Sequence, residues 1–268
     1  MEEFIPDVEQ ARKDIVYRFF SEYSEAYITT NENLRNSMKY MPKNCNRALT
    51  VAASGDHPLF CSLYGAKHVD TFDVSYNAKC IMDIKTAAFK CLKYSDYVYL
   101  LKDLQKTRDV KSVPNMDKIL PQLSPFEYDY MCAMYGYTLF DHGSFGDNHE
   151  NFVTESEYNQ LKETVKQPYN FMMTNMACLD NYLTQSYDFM HTSNVFDYVF
   201  DVKHQIALLG VLLKHLNVGG RIVIQHLCKD PWDKTHFAFA PSWYAGDFLK
   251  KTKFIQALGD VSIFERVR

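Results

Sequence analysis

The chain has 268 residues, a formal net charge of -4 and a hydrophobic fraction of 47%, enough to bury the core of one large α/β domain or two small ones. The mild acidity excludes a global attraction to nucleic acid or anionic lipid, and no apolar run approaches the ~20 residues of a membrane span. The acidic start MEEFIPDVEQ lacks a secretion pattern, and the seven cysteines form no C-x-x-C pair, so they read as reduced thiols of a cytoplasmic protein.

Residues 1–45 are expected to be helical, an N-terminal lid or buttress of the main domain. Ile15, Phe19, Phe20 and Tyr23 share one helical face, and Thr30-Asn31-Glu32-Asn33 offers a cap for a short helix through Met38. Residues 46–268 are expected to form that main domain. An apolar run from Ala48 to Ala53 stops at Ser54-Gly55-Asp56, a helix-compatible segment comes next, and a second run, Lys67 to Phe72, ends on Asp73. That is strand, tight turn, helix and parallel strand, the opening unit of a nucleotide-binding sheet. Helices are expected from Ala78 to about Tyr94 and from Tyr97 to Leu104. Pro114, Pro121 and Pro125 then punctuate a mostly helical insertion at about 105–165.

Within the insertion, Asp141 to Glu150 gathers Asp, His and Glu, but the spacing fits no ligand template and the glycines are ordinary loop chemistry, so a substrate loop and no metal site are expected. Strand alternation resumes with Tyr169 to Thr174, ending at Asn175, and with Phe189 to Ser193. An amphipathic helix from Val202 to Leu216 stops at Asn217-Val218-Gly219-Gly220, and Arg221 to Leu227 makes a fifth strand. Trp243 to Lys251 reads as helix. Gly259-Asp260 then joins Phe254–Leu258 and Val261–Val267 in a hairpin.

The first turn points to a class of ligand. Gly55 permits a sharp turn and close approach to bare backbone, and Asp73 at a strand end can accept hydrogen bonds from both hydroxyls of a ribose. A pyrophosphate cofactor needs several glycines, whereas this turn has one, preceded by Ala52, Ala53 and Ser54, and carries the acid Asp56. A cationic sulfonium with an amino-acid tail suits it better, so S-adenosylmethionine is the expected cofactor. The alternative is a β-turn-α unit with no ligand.

This order of elements resembles the Rossmann-like seven-stranded class I fold of S-adenosylmethionine-dependent methyltransferases, and Leu216 to Ile224 is similar to their entry to strand five. More specifically, Leu49 to Asp56, Asp73, Asn77, Lys85-Ala87-Ala88, Tyr187-Asp188-Phe189 and Ser193-Asn194-Val195-Phe196-Asp197-Tyr198 resemble the betaine-lipid synthase family. The resemblance implies transfer of the 3-amino-3-carboxypropyl group of S-adenosylmethionine to diacylglycerol. The chain carries no evident lipid-binding amphipathic stretch, so the acceptor reads as a small molecule or a lipid, with no nucleic acid expected.

The chemistry is displacement at a carbon bound to sulfur, and an oxygen or amine acceptor must also lose a proton. Asp188, His191 and Asp197 are candidate bases near the fourth strand, although His191 reads rather as a packed core histidine. Ser193, Asn194 and Asp197 lie at or beyond its carboxyl end, where open sheets hold ligands, and are the favoured catalytic set. Ala53, Ser54, Gly55, Asp56, Asp73, Val74 and Asn175 are the expected cofactor contacts, with Tyr27 or Tyr23 covering the sulfonium. Methyl transfer is the alternative reaction, and a non-catalytic S-adenosylmethionine-binding protein the second alternative.

Overall fold

Strands form where the apolar runs predict them: β1 (Arg47–Val51), β2 (His68–Asp73), β3 (Asn170–Met173), β4 (Tyr187–His191), β5 (Leu216–Gln225), β6 (Thr252–Leu258) and β7 (Val261–Arg266). They build one seven-stranded sheet in the order β3-β2-β1-β4-β5-β7-β6. Strand β1 is parallel to β2 and β4, β4 is parallel to β5, and β7 runs antiparallel to β5 and β6. The fold is the expected α/β, Rossmann-like sheet closed by an antiparallel hairpin. The chain winds outward from β1 and then restarts on its other side at β4, which makes the carboxyl ends of β1 and β4 the switch point where such sheets bind ligands.

The structure, a computed structural model, describes residues 4–17, 21–104, 106–107, 109–137, 139–141, 152–199, 202–225, 248, 250–258 and 261–268. The loop from His142 to Glu150, most of the expected helix from Trp243 to Lys251 and the Gly259-Asp260 turn lie outside them. The helices are α1 (Val8–Tyr17), α2 (Leu34–Met38), α3 (Asp56–Leu63), α4 (Tyr76–Cys91), α5 (Tyr94–Leu104), α6 (Met116–Ile119), α7 (Pro125–Ala133), α8 (Glu155–Thr164) and α9 (Val202–His215). Among the described residues, none is long and apolar enough to cross a membrane.

The chain divides into two compact units. The first comprises Met1–Asn31, Ala52–Leu59 and Asp73–Met173. It is organised on α4, which buries Ile81, Ile84, Ala88 and Phe89. The aromatic excess of the sequence goes largely here. Tyr76 meets Tyr130 edge-on at 5.1 Å, and Phe89 and Tyr97 lie 5.0 and 5.1 Å from Tyr158. Tyrosine is used where phenylalanine would fail: Tyr130 Oη donates to Asn77 Oδ1 at 2.9 Å, and Tyr158 Oη reaches the carbonyls of Ala88 and Leu92 at 3.1 Å. These hydroxyls fix the helical insertion to α4. Helices α7 and α8 start at full capping boxes, Ser124 with Glu127 and Thr154 with Glu157.

The second unit comprises Glu32–Val51, Phe60–Phe72 and Thr174–Arg268. Its core joins Leu49, Phe189, Met190, Ile222, Val223 and Ile263 of the sheet with Leu209 and Leu212 of α9. Two boundaries differ from expectation. Strand β4 ends at His191, because Ser193 has φ of 54° and cannot continue a strand. Helix α9 stops at His215 and β5 starts at once, with Asn217 to Gly220 looped out: Tyr187 faces Leu216 while Phe189 faces Arg221. Asp188 fills the gap. Its Oδ1 accepts from Asn217 Nδ2 at 2.8 Å and its Oδ2 from the N–H groups of Asn46 and Arg47 at 2.7 and 3.2 Å. Asp188 therefore clasps the amino end of the sheet, the end opposite a ligand, and is corrected from candidate base to structural residue.

Candidate functional site

The turn after β1 is held by hydrogen bonds among its own residues. Gly55 N–H donates to the Ala52 carbonyl at 2.6 Å, Ala53 N–H to Asp73 Oδ2 at 2.8 Å, and Asp56 N–H faces Ser54 Oγ at 3.4 Å. Ala53 and Gly55 take φ of 45° and 80°. Asp73, at the end of β2, also accepts from Ser75 N–H at 3.0 Å, so it ties this turn to the start of α4. Ala53, Asp73 and Val74 are partly exposed, whereas Ser54, Gly55 and Asp56 are buried. Desolvation lifts the Asp73 carboxyl above the usual range, against the pull of the Ser75, Ala53 and Val74 backbone and of His57.

The burial of Gly55 corrects one expectation. A Cβ on this residue would lie 2.8 Å from Met82 Cα and 3.4 Å from Lys85 Cδ. The close approach that glycine permits is that of α4, not of a ligand. Asp56 is likewise turned inward. It forms a buried ion pair with Lys85, whose side chain is fully enclosed, and its Oδ2 accepts from Thr30 N–H at 2.8 Å and from Ser54 Oγ at 2.9 Å. Burial lowers the Lys85 pKa and Asp56 opposes that shift. The acid that the sequence sets against phosphate is thus neutralised from within. Lys85 had one sequence signal: it shares a helical face with the apolar Ile81, Ile84 and Ala88.

Tyr27 and Tyr23 separate clearly. Tyr27 sits in a two-residue parallel bridge, Ala26–Tyr27 with Phe140–Asp141, and is 46% exposed. Tyr23 is core: it is buried, stacks on Tyr130 at 6.2 Å, and its Oη accepts from Asp7 N–H at 2.8 Å. It is thereby withdrawn as a cover for the sulfonium. Asn175 caps a short 3-10 turn, its Oδ1 accepting from Cys178 N–H at 3.0 Å. Its amide nitrogen and the second lone pair of Oδ1 remain for an adenine edge.

Beyond β4, in the second unit, Ser193 turns the chain with its strained φ and is buried. Its N–H donates to His191 Nδ1 at 3.2 Å, and its hydroxyl donates to the Glu32 carboxylate in a short contact. Since Nδ1 accepts, the proton of the neutral ring is on Nε2, which donates to Ser37 Oγ at 2.9 Å. Ser37 in turn donates to the Leu34 carbonyl at 3.1 Å. The lone pair that would make His191 a base is occupied, and the ring is fully buried, as the core reading of this histidine has it. Asn194 Oδ1 lies 3.3 Å from Ser193 Oγ, and Asp197 stands, partly exposed, in the first turn of the 3-10 segment Val195–Tyr198. Glu32, the buried partner of Ser193, had no sequence signal beyond its place in a capping run.

The expected residues therefore gather as two groups: Ala53, Ser54, Gly55, Asp56, Asp73 and Val74 in the first unit, and Ser193 and Asn194 with Glu32 in the second.

No family model matches the sequence, and no curated protein does. Solved structures with a similar course include an rRNA methylase from Streptococcus thermophilus (11% identity, TM-score 0.42, covering 89% of this chain and 98% of that one). Another is the rRNA methyltransferase aviRa from Streptomyces viridochromogenes (10% identity, TM-score 0.45, 98% and 86%). A third is the N-methyltransferase NodS from Bradyrhizobium japonicum WM9 in complex with S-adenosyl-L-homocysteine (8% identity, TM-score 0.41, 97% and 98%). Similarity at this level assigns neither a cofactor nor an acceptor to the chain.

Proposed function

We propose that the protein is an S-adenosylmethionine-dependent transferase. One observation carries this reading: three of the turn's N–H groups are already engaged while Asp73 stays partly exposed. A pyrophosphate needs free backbone donors at such a turn, and here Gly55, Ala53 and Asp56 direct theirs at Ala52, Asp73 and Ser54. The cation beneath the turn, Lys85, is committed to Asp56. A phosphate-free nucleoside with a diol suits what remains. Each Asp73 oxygen accepts one backbone N–H and keeps acceptor capacity for a ribose hydroxyl. Ala53 and Val74 offer an apolar rim beside it. The bound cofactor would supply an electrophilic carbon on a sulfonium; the chain has to align an acceptor and take its proton.

That proton-accepting role is proposed for Asp197, partly exposed beyond β4, or for Glu32 acting at Ser193. The finer reading is 3-amino-3-carboxypropyl transfer to a small-molecule or lipid acceptor. It is supported by the betaine-lipid-synthase resemblance of two segments that follow the neighbouring strands β1 and β4. Methyl transfer, the commonest use of the fold, is the second reading. An rRNA acceptor belongs to some of the similar structures and is not proposed for a chain of net charge -4.

Calorimetry tests the cofactor: S-adenosylmethionine should bind and NAD should not. Asp73→Ala should weaken S-adenosylmethionine by about 1.5–3 kcal/mol, the scale of hydrogen bonds to a charged group. Equal affinity of wild type and variant would remove the assignment. Turnover with a cell extract then separates the reactions. Methylthioadenosine marks aminocarboxypropyl transfer, S-adenosylhomocysteine marks methyl transfer, and neither product would leave a binding protein.

A further inference from the structure

The net charge of -4 hides a local charge of the other sign. In the second unit, cations collect where β6 begins and β7 ends, at the amino end of β5. Arg266 faces Thr252 across the hairpin, Val267 N–H donates to the Lys251 carbonyl at 2.8 Å, and Arg268 Nε donates to the Lys250 carbonyl at 3.0 Å. These bonds set Lys250, Lys251 and Arg268 side by side, and Lys253 follows as the second residue of β6. All four are exposed.

The described acids of this end are already committed. Glu265 Oε2 accepts from Arg221 Nε at 2.9 Å, and Asp180 pairs with Lys214 at 2.8 Å and with His215 at 2.6 Å. Asp188 is held by Asn217, Asn46 and Arg47 as described above. The main-chain oxygen of Arg268 is taken by Arg266 Nε at 3.1 Å, and the same guanidinium caps α9 at the Leu213 carbonyl. Among the described residues, Lys250, Lys253 and Arg268 form no ion pair with a carboxylate. A lysine on an edge strand guards against strand addition, which accounts for Lys253 on β6. Lys250 precedes that strand and Arg268 lies beyond β7, so edge protection gives no reason for either.

Two aliphatic side chains stand out beside the cations. Val267 is 45% exposed, and Val218, two residues past the Leu216 carbonyl that Arg266 also binds, is 66% exposed. We propose that this end of the second unit docks on an anionic bilayer, with the lysines and Arg268 among lipid phosphates and the two valines in the headgroup layer.

The make-up of the face selects that partner. A single small anion needs donors converging on one point, whereas these cations are spread along a strand start and a strand end. A nucleic acid is read by guanidinium forks on base edges and by aromatic rings under the bases. Here lysine predominates, and the apolar groups that stand out furthest are aliphatic. Lysines attracted to headgroup charge and apolar tips taken up at the interface are the two terms of peripheral membrane binding. The residues come from three separate stretches, so no amphipathic run announces the face in the sequence. Docking there leaves the carboxyl end of β4 uncovered and shares no residue with the proposed cofactor site.

Co-sedimentation of the full chain with vesicles tests this. Vesicles of phosphatidylcholine with about 40% phosphatidylglycerol should bind about a hundredfold or more tighter than phosphatidylcholine alone, since each basic residue near such a surface contributes about fivefold. Raising the salt from about 0.1 M to about 0.5 M should weaken that binding by about tenfold or more. The double variant Lys250→Gln, Lys253→Gln should lose about twentyfold with an unchanged melting temperature. Val218→Ser with Val267→Ser should lose about fivefold on the same vesicles. No preference for the anionic vesicles, or wild-type vesicle affinity in the lysine variant, would overturn the proposal. Wild-type affinity in the valine variant would also overturn it, by leaving a plain attraction between charges. So would poly-uridylate that binds more tightly than the vesicles and is released by the lysine substitutions, because the face would then belong to a nucleic acid.

Discussion

The turns that follow β1 and β4 are built alike and serve differently. Each leaves a parallel strand through a non-glycine residue with positive φ, Ala53 at 45° and Ser193 at 54°. Each has a carboxylate buried under it, Asp56 in one and Glu32 in the other. Under the first turn the carboxylate is locked to the fully buried ammonium of Lys85 and accepts two further hydrogen bonds. Under the second it is met by the hydroxyl of Ser193, a group that can rotate and exchange its proton. We read the first acid as architecture, because a buried ammonium fixes it, and propose chemistry at the second, where a serine hydroxyl is one of the groups that meet it. This is why we look for proton transfer beyond β4 and for cofactor contact at the exposed rim of the first turn, not at its buried acid.

The sharpest way to break the comparison is to remove the ammonium. Lys85→Met leaves Asp56 as an uncompensated buried charge and should lower unfolding free energy by about 3–5 kcal/mol in denaturant titrations. Asp56→Asn in the same chain should recover most of that loss, because methionine fills the volume and asparagine can still accept from Thr30 and Ser54. A loss below about 1 kcal/mol for Lys85→Met would mean that the pair is not charged, and the contrast between the turns would collapse.

Gly55→Val comes next. The new Cβ would lie 2.8 Å from the Met82 backbone, at a residue whose φ of 80° valine tolerates poorly. Overpacking and strain together predict a loss of about 3 kcal/mol. Stability should fall first and binding only through it. A stable variant that has lost S-adenosylmethionine would restore the view of Gly55 as a ligand contact.

Much of this architecture is legible in the sequence, for identifiable reasons. Apolar runs ending at Ser54-Gly55-Asp56 and at Asp73 announce a strand-turn-helix-strand unit, because period and punctuation are local properties. The order of later elements likewise foretells a sheet closed by a hairpin. The depth of each turn residue is not legible. Gly55 could open to a ligand or to a helix, and only the path of α4 decides. Lys85 and Glu32 are far in sequence from Asp56 and Ser193, so their pairing is invisible to any local pattern. Asp188 misleads because it stands inside the strand that carries the candidate site, yet at its amino end. His191 is legible as a core residue, but the occupation of its acceptor nitrogen by Ser193 N–H is not.

Ser193→Ala tests the second turn with a smaller effect. It removes a donor to a buried carboxylate while leaving the backbone alone, so a loss of about 1.5–3 kcal/mol is expected in the same titrations. A loss as large as that for Lys85→Met would make both acids architectural and would remove the reason for seeking the base here.

The smallest expected change is the most informative about the first turn. Ala53→Gly relieves a left-handed alanine, which costs about 1–2 kcal/mol, but gives back roughly 0.5–1 kcal/mol through the greater freedom of glycine in the unfolded chain. The terms nearly cancel, and unfolding free energy should move by less than about 1 kcal/mol. Ala53 is also a partly exposed residue of the turn, and its N–H holds Asp73 in place. A ligand resting on this rim would feel both the lost methyl and the looser donor. We therefore expect affinity for S-adenosylmethionine to fall by about two- to tenfold, up to about 1.4 kcal/mol, while the melting temperature hardly changes. Calorimetry on the folded variant separates the outcomes: unaltered affinity would mean that the rim does not touch the cofactor, and Asp73 would then have to hold its ribose without help from the turn.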